Sequence, residues 1–154
     1  MTDFGRLLAD LNDAAVRYVV IGGIAVVRHG VVRATRDVDV VIARSDVHRL
    51  RELSERWQAT RPDGSPLNSD DFVPERSIHL KTPHGFLDVM PDGRPVAFEE
   101  LEARADTRRV DGTPAPICSL ADLVALKRVA GRGRDLLDLD ELETAHGELP
   151  DSRG

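Results

Sequence analysis

The sequence has 154 residues, of which 41% are hydrophobic and 31% are charged, and its formal net charge is −6. This length and composition predict one globular domain with a substantial core. The acidic balance argues against broad coating of nucleic acid, and no apolar run approaches the roughly 20 residues that span a bilayer. The first residues lack the form of a signal peptide, and the single cysteine, Cys118, excludes an internal disulfide framework. We therefore expect a cytoplasmic protein without membrane association.

The negative charge is concentrated towards the C-terminal end of the chain. Residues 135–154 hold seven acidic residues and one basic residue, so residues 1–134 are balanced, with twenty of each kind. Within the balanced part, Arg28, Arg33 and Arg36 lie close together in the sequence. The overall charge therefore leaves room for a local basic rim.

Hydrophobic periodicity predicts alternating helices and strands in the first part of the chain. The predicted elements are a helix over 3–16, a buried strand over 18–21, a short helix over 24–29, a strand over 37–42 and a helix from 45 to about 57. The strand over 18–21 ends at the glycine pair Gly22-Gly23, and Gly30 is expected to end the short helix.

The second part is predicted to contain a hairpin and two further helices. The predicted elements are a loop over 60–76, hairpin strands over 77–81 and 86–90, one short strand near 107–110 within an irregular segment over 96–118, and helices over 120–130 and 134–145. Ser119 is the predicted N-cap of the first of these helices. The expected fold is an α/β (α+β) domain with a short mixed β-sheet flanked by helices. We place its core at 1–118, a two-helix extension at 119–146 and a disordered tail at 147–154.

Three aspartates are the candidate catalytic and metal-binding residues. Asp37 and Asp39 open a predicted strand, so their side chains project from the same face, roughly 6–7 Å apart along the strand. Asp88 lies within a second apolar strand. If the two strands are neighbours, the three carboxylates would hold one or two hard cations, Mg²⁺ or Mn²⁺. The alternatives are a solvent-facing strand start for the first two acids and a buried salt bridge for Asp88.

The glycine pair Gly22-Gly23 is a candidate phosphate site. Without side chains, the backbone approaches phosphate oxygens closely, and the helix after the pair directs its N-terminus there. The segment is not a Walker A loop, because no Gly-Lys-Ser/Thr follows. Taken alone, the pair favours a plain turn, but together with the paired acids it favours a phosphate site.

These motifs together resemble a known superfamily. Gly22-Gly23, the segment Arg-Ala-Thr-Arg-Asp-Val-Asp over 33–39, and Asp88 look like the glycine motif, paired acids and third acid of minimal polymerase-β-like nucleotidyltransferases. The segment over 120–139 is similar to the toxin-type branch that includes AbiEii-type nucleotidyltransferases of type IV toxin–antitoxin systems. The resemblance covers residues 18–42, 86–90 and 120–142, roughly half of the chain.

The resemblance implies a nucleotidyltransferase fold and a Mg²⁺-dependent (or Mn²⁺-dependent) activity. Such an enzyme moves a nucleoside monophosphate from an NTP to a hydroxyl acceptor and releases pyrophosphate. By resemblance, Lys127 contacts nucleotide phosphates and Asp135 supports the site, while Arg33 and Arg36 are further candidate phosphate contacts. The alternatives are a helix-surface role for Lys127, a helix-dipole role for Asp135 and a counter-ion role for the two arginines.

The acceptor is left open by the sequence. The toxin-type resemblance favours RNA, in particular a tRNA end, and implies a cognate antitoxin as a partner protein. A small aminoglycoside-like molecule, a protein side chain, and a non-catalytic relative that binds nucleotide or a partner are the alternatives. The histidines show no metal-ligand spacing, so surface or packing roles are expected for His29, His48, His79, His84 and His146.

Overall fold

The computed structural model describes residues 2–150, which form six helices and six strands. The helices are α1 (Phe4–Asp13), α2 (Gly22–Arg28), α3 (Val47–Trp57), α4 (Phe98–Arg104), α5 (Leu120–Ala130) and α6 (Gly133–His146). The strands are β1 (Tyr18–Ile21), β2 (Asp37–Ile42), β3 (Ile78–Thr82), β4 (Gly85–Met90), β5 (Asp106–Val110) and β6 (Thr113–Ile117). Short 3₁₀ turns lie at Arg44–Asp46 and Ser69–Asp71.

The strands form one mixed sheet in the order β3-β4-β2-β1-β6-β5. The pairs β2/β4 and β1/β6 are parallel, whereas β1/β2, β3/β4 and β5/β6 are antiparallel. The central strand β1 is buried along its whole length, as expected for an uncharged apolar run between two neighbours. This order places β2, which carries the paired aspartates, directly between β1 and β4.

The hydrophobic core joins the sheet to the helices on its faces. The leucines of α1 are fully buried, and Leu50 and Leu53 of α3 point inward as their spacing predicts. Leu123 of α5 and Leu142 of α6 belong to the same core cluster as the strands. The proposed division between a core ending at residue 118 and a two-helix extension stays a prediction.

Most predicted elements are confirmed, but the segment over 96–118 is not. Strands β1 and β2 and helix α5 have the predicted bounds, and the hairpin differs by one residue at three of its four strand ends. In the segment over 96–118, only the short strand near 107–110 is confirmed, as β5, whereas α4 and β6 form there without having been predicted. The Thr-Pro-Ala-Pro-Ile sequence of β6 contains two prolines, which cannot donate to a β ladder, and therefore does not resemble a strand.

The C-terminal end of the chain is described in part. The predicted disordered tail over 147–154 extends outside the described residues, which end at residue 150. Within residues 2–150, no helix has both the length and the apolar character required to cross a membrane.

Candidate active site

The three predicted aspartates are brought together on one face of the sheet. Strand β2 runs parallel to β4, and Asp39 lies directly opposite Asp88 in the register. Val38 and Val40 are buried on the other face, so strand alternation turns Asp37 and Asp39 to the face that carries Asp88. The conditional prediction that the two acid-bearing strands are neighbours is confirmed. We refer to Asp37, Asp39 and Asp88 as the acid cluster.

The electrostatics of the acid cluster are unfavourable to ionised carboxylates. Burial, followed by the negative charges of Asp88 and Asp37, raises the pKa of Asp39 to about 6, although Lys127 acts in the opposite direction. Burial and Asp88 also raise the pKa of Asp37, against the lowering effect of Arg134 and Arg36. The cluster therefore holds like charges together at a cost to the folded state.

The glycine pair closes directly onto this cluster. Gly22 has φ of +66°, and a Cβ atom at this position would lie 2.1 Å from Oδ2 of Asp39. A Cβ atom at Gly23 would lie 2.7 Å from Oγ1 of Thr35. The two glycines are thus required by the close approach of β2, and they place bare backbone beside the Asp39 carboxylate.

A second set of charged residues lies beside the acid cluster, on α5, α6 and the loop before β2. Lys127 of α5 is buried, and its Nζ lies 3.1 Å from Oδ1 of Asp135 and 2.9 Å from Oδ2 of Asp138. The Arg132 Nε–Asp135 Oδ2 distance is 2.7 Å, and Arg33 pairs with Asp138. We refer to Arg33, Lys127, Arg132, Asp135 and Asp138 as the ion-pair cluster.

The ion-pair cluster changes how several predicted residues are understood. The alternative that Lys127 is a helix-surface lysine is wrong, because only 7% of its side chain is exposed. Asp135 occupies the first turn of α6, as the helix-dipole alternative has it, and also contacts Lys127. The counter-ion of Arg33 is Asp138, whereas Arg36 is exposed beside Asp37.

Three site residues were given no site role by the sequence analysis: Arg132, Asp138 and His79. Asp138 received no role, although its spacing of three residues from Asp135 places both carboxylates on one face of α6. His79 was assigned a surface or packing role, yet its Nδ1 lies 2.6 Å from Oδ1 of Asp88. The register of the predicted hairpin contained this signal, because counting back from the turn pairs His79 with Asp88.

The donor set of the acid cluster fits a hard divalent cation. Its three members offer carboxylate oxygens alone, and their mutual repulsion is the conflict that a cation would relieve. Among residues 2–150, however, no group of three or more acidic, histidine or cysteine side chains is arranged to hold a metal ion as it stands.

Comparisons with known proteins identify the fold. No protein-family model and no curated protein matches the sequence. Among solved structures, the chain is similar to the antibiotic-resistance factor ANT(2'')-Ia, with a TM-score of 0.61, 14% identity, and coverage of 94% of this chain and 82% of that one. For the lincosamide antibiotic adenylyltransferase LnuA the TM-score is 0.62 and the identity is 17%, with coverage of 91% of this chain and 94% of that one.

A third solved structure has a similar fold. A putative nucleotidyltransferase from Thermotoga maritima has a TM-score of 0.60 and 15% identity, with coverage of 94% of this chain and 96% of that one. At such identities the likeness carries the fold and leaves the activity open. The mixed six-stranded sheet and its flanking helices are those of the nucleotidyltransferase fold.

Proposed function

We propose that the chain is a nucleotidyltransferase that moves a nucleoside monophosphate from an NTP to a hydroxyl acceptor. The observation that carries the proposal is the gathering of Asp37, Asp39 and Asp88 on one face of β2 and β4, against the bare backbone of Gly22. A purely structural sheet would gain nothing from buried carboxylates that repel one another. The nucleotidyltransferase fold supports this proposal.

In this proposal Asp37, Asp39 and Asp88 would hold Mg²⁺ or Mn²⁺. When bound, the cation supplies charge neutralisation at the triphosphate and at the departing pyrophosphate. Asp88 accepts the proton of the acceptor hydroxyl. The hydroxyl oxygen bonds to the α-phosphorus as the bond between that phosphorus and pyrophosphate breaks. The bare backbone of Gly22-Gly23, beside the Asp39 carboxylate, would be available to phosphate oxygens.

The basic residues differ in how well they are placed to contact phosphate in this proposal. Arg36 is exposed beside Asp37 and is available to contact phosphate. Lys127 acts on Asp39 through its charge and is a second phosphate contact, held by Asp135 and Asp138. Arg33, which pairs with Asp138, is a weaker candidate for phosphate binding. Asp135 therefore supports the site by fixing Lys127.

The acceptor is proposed to be RNA, with a tRNA end favoured by the toxin-type motifs, and a cognate antitoxin as partner. A small-molecule acceptor is the second candidate, since LnuA is an adenylyltransferase of lincosamide antibiotics and ANT(2'')-Ia was solved with adenylyl-2''-tobramycin. Protein side chains are a third acceptor class. A cytoplasmic location stays a prediction.

The test is label transfer with defined variants. Wild type and Asp39→Asn are incubated with Mg²⁺ and each α-labelled NTP, in separate reactions that contain total RNA, lysate protein, or aminoglycosides and lincosamides. We expect label in the RNA fraction of the wild type and a loss of about 1,000-fold or more in the variant, equivalent to about 4 kcal/mol of transition-state stabilisation.

Asp106→Asn is the matched control, because it makes the same exchange at an exposed position of β5. Its transfer rate should equal that of the wild type. Label in the antibiotic or protein fraction instead would support nucleotidyltransferase activity with a different class of acceptor. NTP binding without label in any fraction, in both Mg²⁺ and Mn²⁺, would support the non-catalytic alternative.

A further inference from the structure

His79 belongs to a row of polar residues that crosses three strands. The register places His79 of β3 opposite Asp88 of β4, and Asp88 opposite Asp39 of β2. Ile78 and Leu80 are buried, so alternation along β3 turns His79 to the same face as the acid cluster. The imidazole therefore lies at the outer end of a row that leads to the centre of the proposed site.

The contact between His79 and Asp88 is a close one. Nδ1 of the imidazole lies 2.6 Å from Oδ1 of Asp88, slightly shorter than the roughly 2.7–2.9 Å of a charge-assisted N–H···O bond. On the other side, Asp88 is close enough to Asp37 and Asp39 for the like charges to raise the pKa of both. Like-charge repulsion would turn the Asp88 carboxylate away from its neighbours unless a donor held it.

The exposure of His79 argues against a role in stability. About half of its side chain is exposed, at 52%, and it borders a cavity of about 390 Å³ beside residues 61–78. Exposed ion pairs of this kind stabilise proteins by about 0–1 kcal/mol. A donor that adds so little to folding can nevertheless determine where a carboxylate points.

We propose that His79 is a positioning residue, whose Nδ1–H holds one oxygen of Asp88 so that the other oxygen is directed towards Asp39. This inference rests on the proposed function, in which Asp88 contributes to cation binding and acceptor activation. His79 itself contacts neither the nucleotide nor the reacting atoms. Residues that hydrogen-bond to a metal-binding carboxylate typically affect metal affinity by about 10–100-fold.

The first measurement tests the hydrogen bond without metal. Imidazole ¹⁵N NMR of the whole chain should show His79 as the Nδ1–H tautomer, with a signal that changes in Asp88→Asn. His48, exposed on α3, provides the comparison signal and should not respond to that substitution. An Nε2–H tautomer for His79, or a signal insensitive to Asp88→Asn, would overturn the proposal.

The second measurement uses two amides that place their nitrogen differently. The amide nitrogen of Asn occupies the position of Nδ1, whereas that of Gln reaches the position of Nε2. Mn²⁺ binding, followed by electron paramagnetic resonance, should be within about 3-fold of the wild type in His79→Asn and about 10–100-fold weaker in His79→Gln. Equal affinity in both variants would overturn the proposal, whether it is retained or lost.

The two proposals fail in distinguishable ways. Suppose that the wild type binds Mn²⁺ and transfers label, and that His79→Gln equals it in both measurements. The proposed role of His79 is then wrong, whereas the proposed nucleotidyltransferase function is retained. If the wild type neither binds Mn²⁺ nor transfers label, the proposed function is wrong, and the NMR result alone decides whether His79 holds Asp88. A denaturation curve of each variant should match that of the wild type within about 1 kcal/mol.

Discussion

The acid cluster and the ion-pair cluster are neighbours that treat buried charge in opposite ways. Burial raises the pKa of Asp39, and adjacent carboxylates raise it further. Burial would also raise the pKa of Asp135, but hydrogen bonds from Arg132 and Lys127 hold it below its ordinary value. The negative charge of an aspartate is thus compensated by basic partners on α6 and is left uncompensated on β2.

This difference separates charges that are already paired within the fold from charges that are not. Every member of the ion-pair cluster has an oppositely charged partner, so the cluster is complete in itself. The acid cluster lies within electrostatic reach of Lys127 and Arg132, yet its carboxylates chiefly face one another. Its missing positive charge is what a bound divalent cation would supply.

The largest effect is expected from breaking the ion-pair cluster. Lys127→Met leaves Asp135 and Asp138 buried without the ammonium group that lies between them. We expect a loss of about 3–5 kcal/mol in the free energy of unfolding, because removal of one partner from a buried pair leaves an uncompensated charge. Urea denaturation at pH 7.5 measures it.

Arg44→Met serves as the control for that measurement. Its partner is Glu75, and both side chains are more than half exposed. An exposed pair contributes about 0–1 kcal/mol, so the two substitutions should differ by several-fold in their effect. Equal losses would show that Lys127 is not held as a buried ion pair.

A second substitution perturbs the acid cluster sterically. Gly22→Ala introduces both a left-handed backbone strain and an overlap with the Asp39 carboxylate, and should lower the free energy of unfolding by about 2–4 kcal/mol. Gly131 has φ of +57°, and the nearest atom to an added Cβ is 3.6 Å away. Gly131→Ala should therefore show the strain alone, about 1–2 kcal/mol, by the same denaturation assay. Equal losses would mean that β2 moves aside easily.

The two clusters were not equally predictable from the sequence. Asp37 and Asp39 could be placed on one face because β2 is an alternating strand, and the hairpin register would have added His79. The ion-pair cluster required knowing how α6 returns to α5, and no local pattern encodes the meeting of Lys127 with Asp138. Local periodicity determines faces, whereas contacts between distant elements depend on packing.

The fold shows the same limit. The elements with strong apolar periodicity or a capping side chain were found, as with Ser119 at the start of α5. Helix α4 was missed because its N-cap, Ala97, offers no side-chain hydrogen bond. Strand β6 was missed because its prolines contradict strand propensity, while its pairing with β5 and β1 is made by the tertiary structure.

The smallest effect is a gain in stability from neutralising the acid cluster. The pKa of Asp39 is about 6 in the folded chain against an ordinary 3.8, so the native state binds more protons than the unfolded state between these values. The contribution of this group to stability therefore falls as the pH rises from about 4 to about 6. In EDTA, the free energy of unfolding of Asp39→Asn should exceed that of the wild type by about 1–3 kcal/mol above pH 6. Below pH 4 the two free energies should match.

The pH dependence of that difference distinguishes the acid cluster from ordinary surface acids. The substitution Asp106→Asn lies on exposed β5. Its free energy of unfolding should be within about 0.5 kcal/mol of that of the wild type both above pH 6 and below pH 4. Addition of Mn²⁺ at pH 7.5 should then stabilise the wild type and not Asp39→Asn, because the cation binds where the charges repel. An Asp39→Asn variant less stable than the wild type at pH 8 would mean that the carboxylate is already compensated, and that the contrast between the two clusters does not hold.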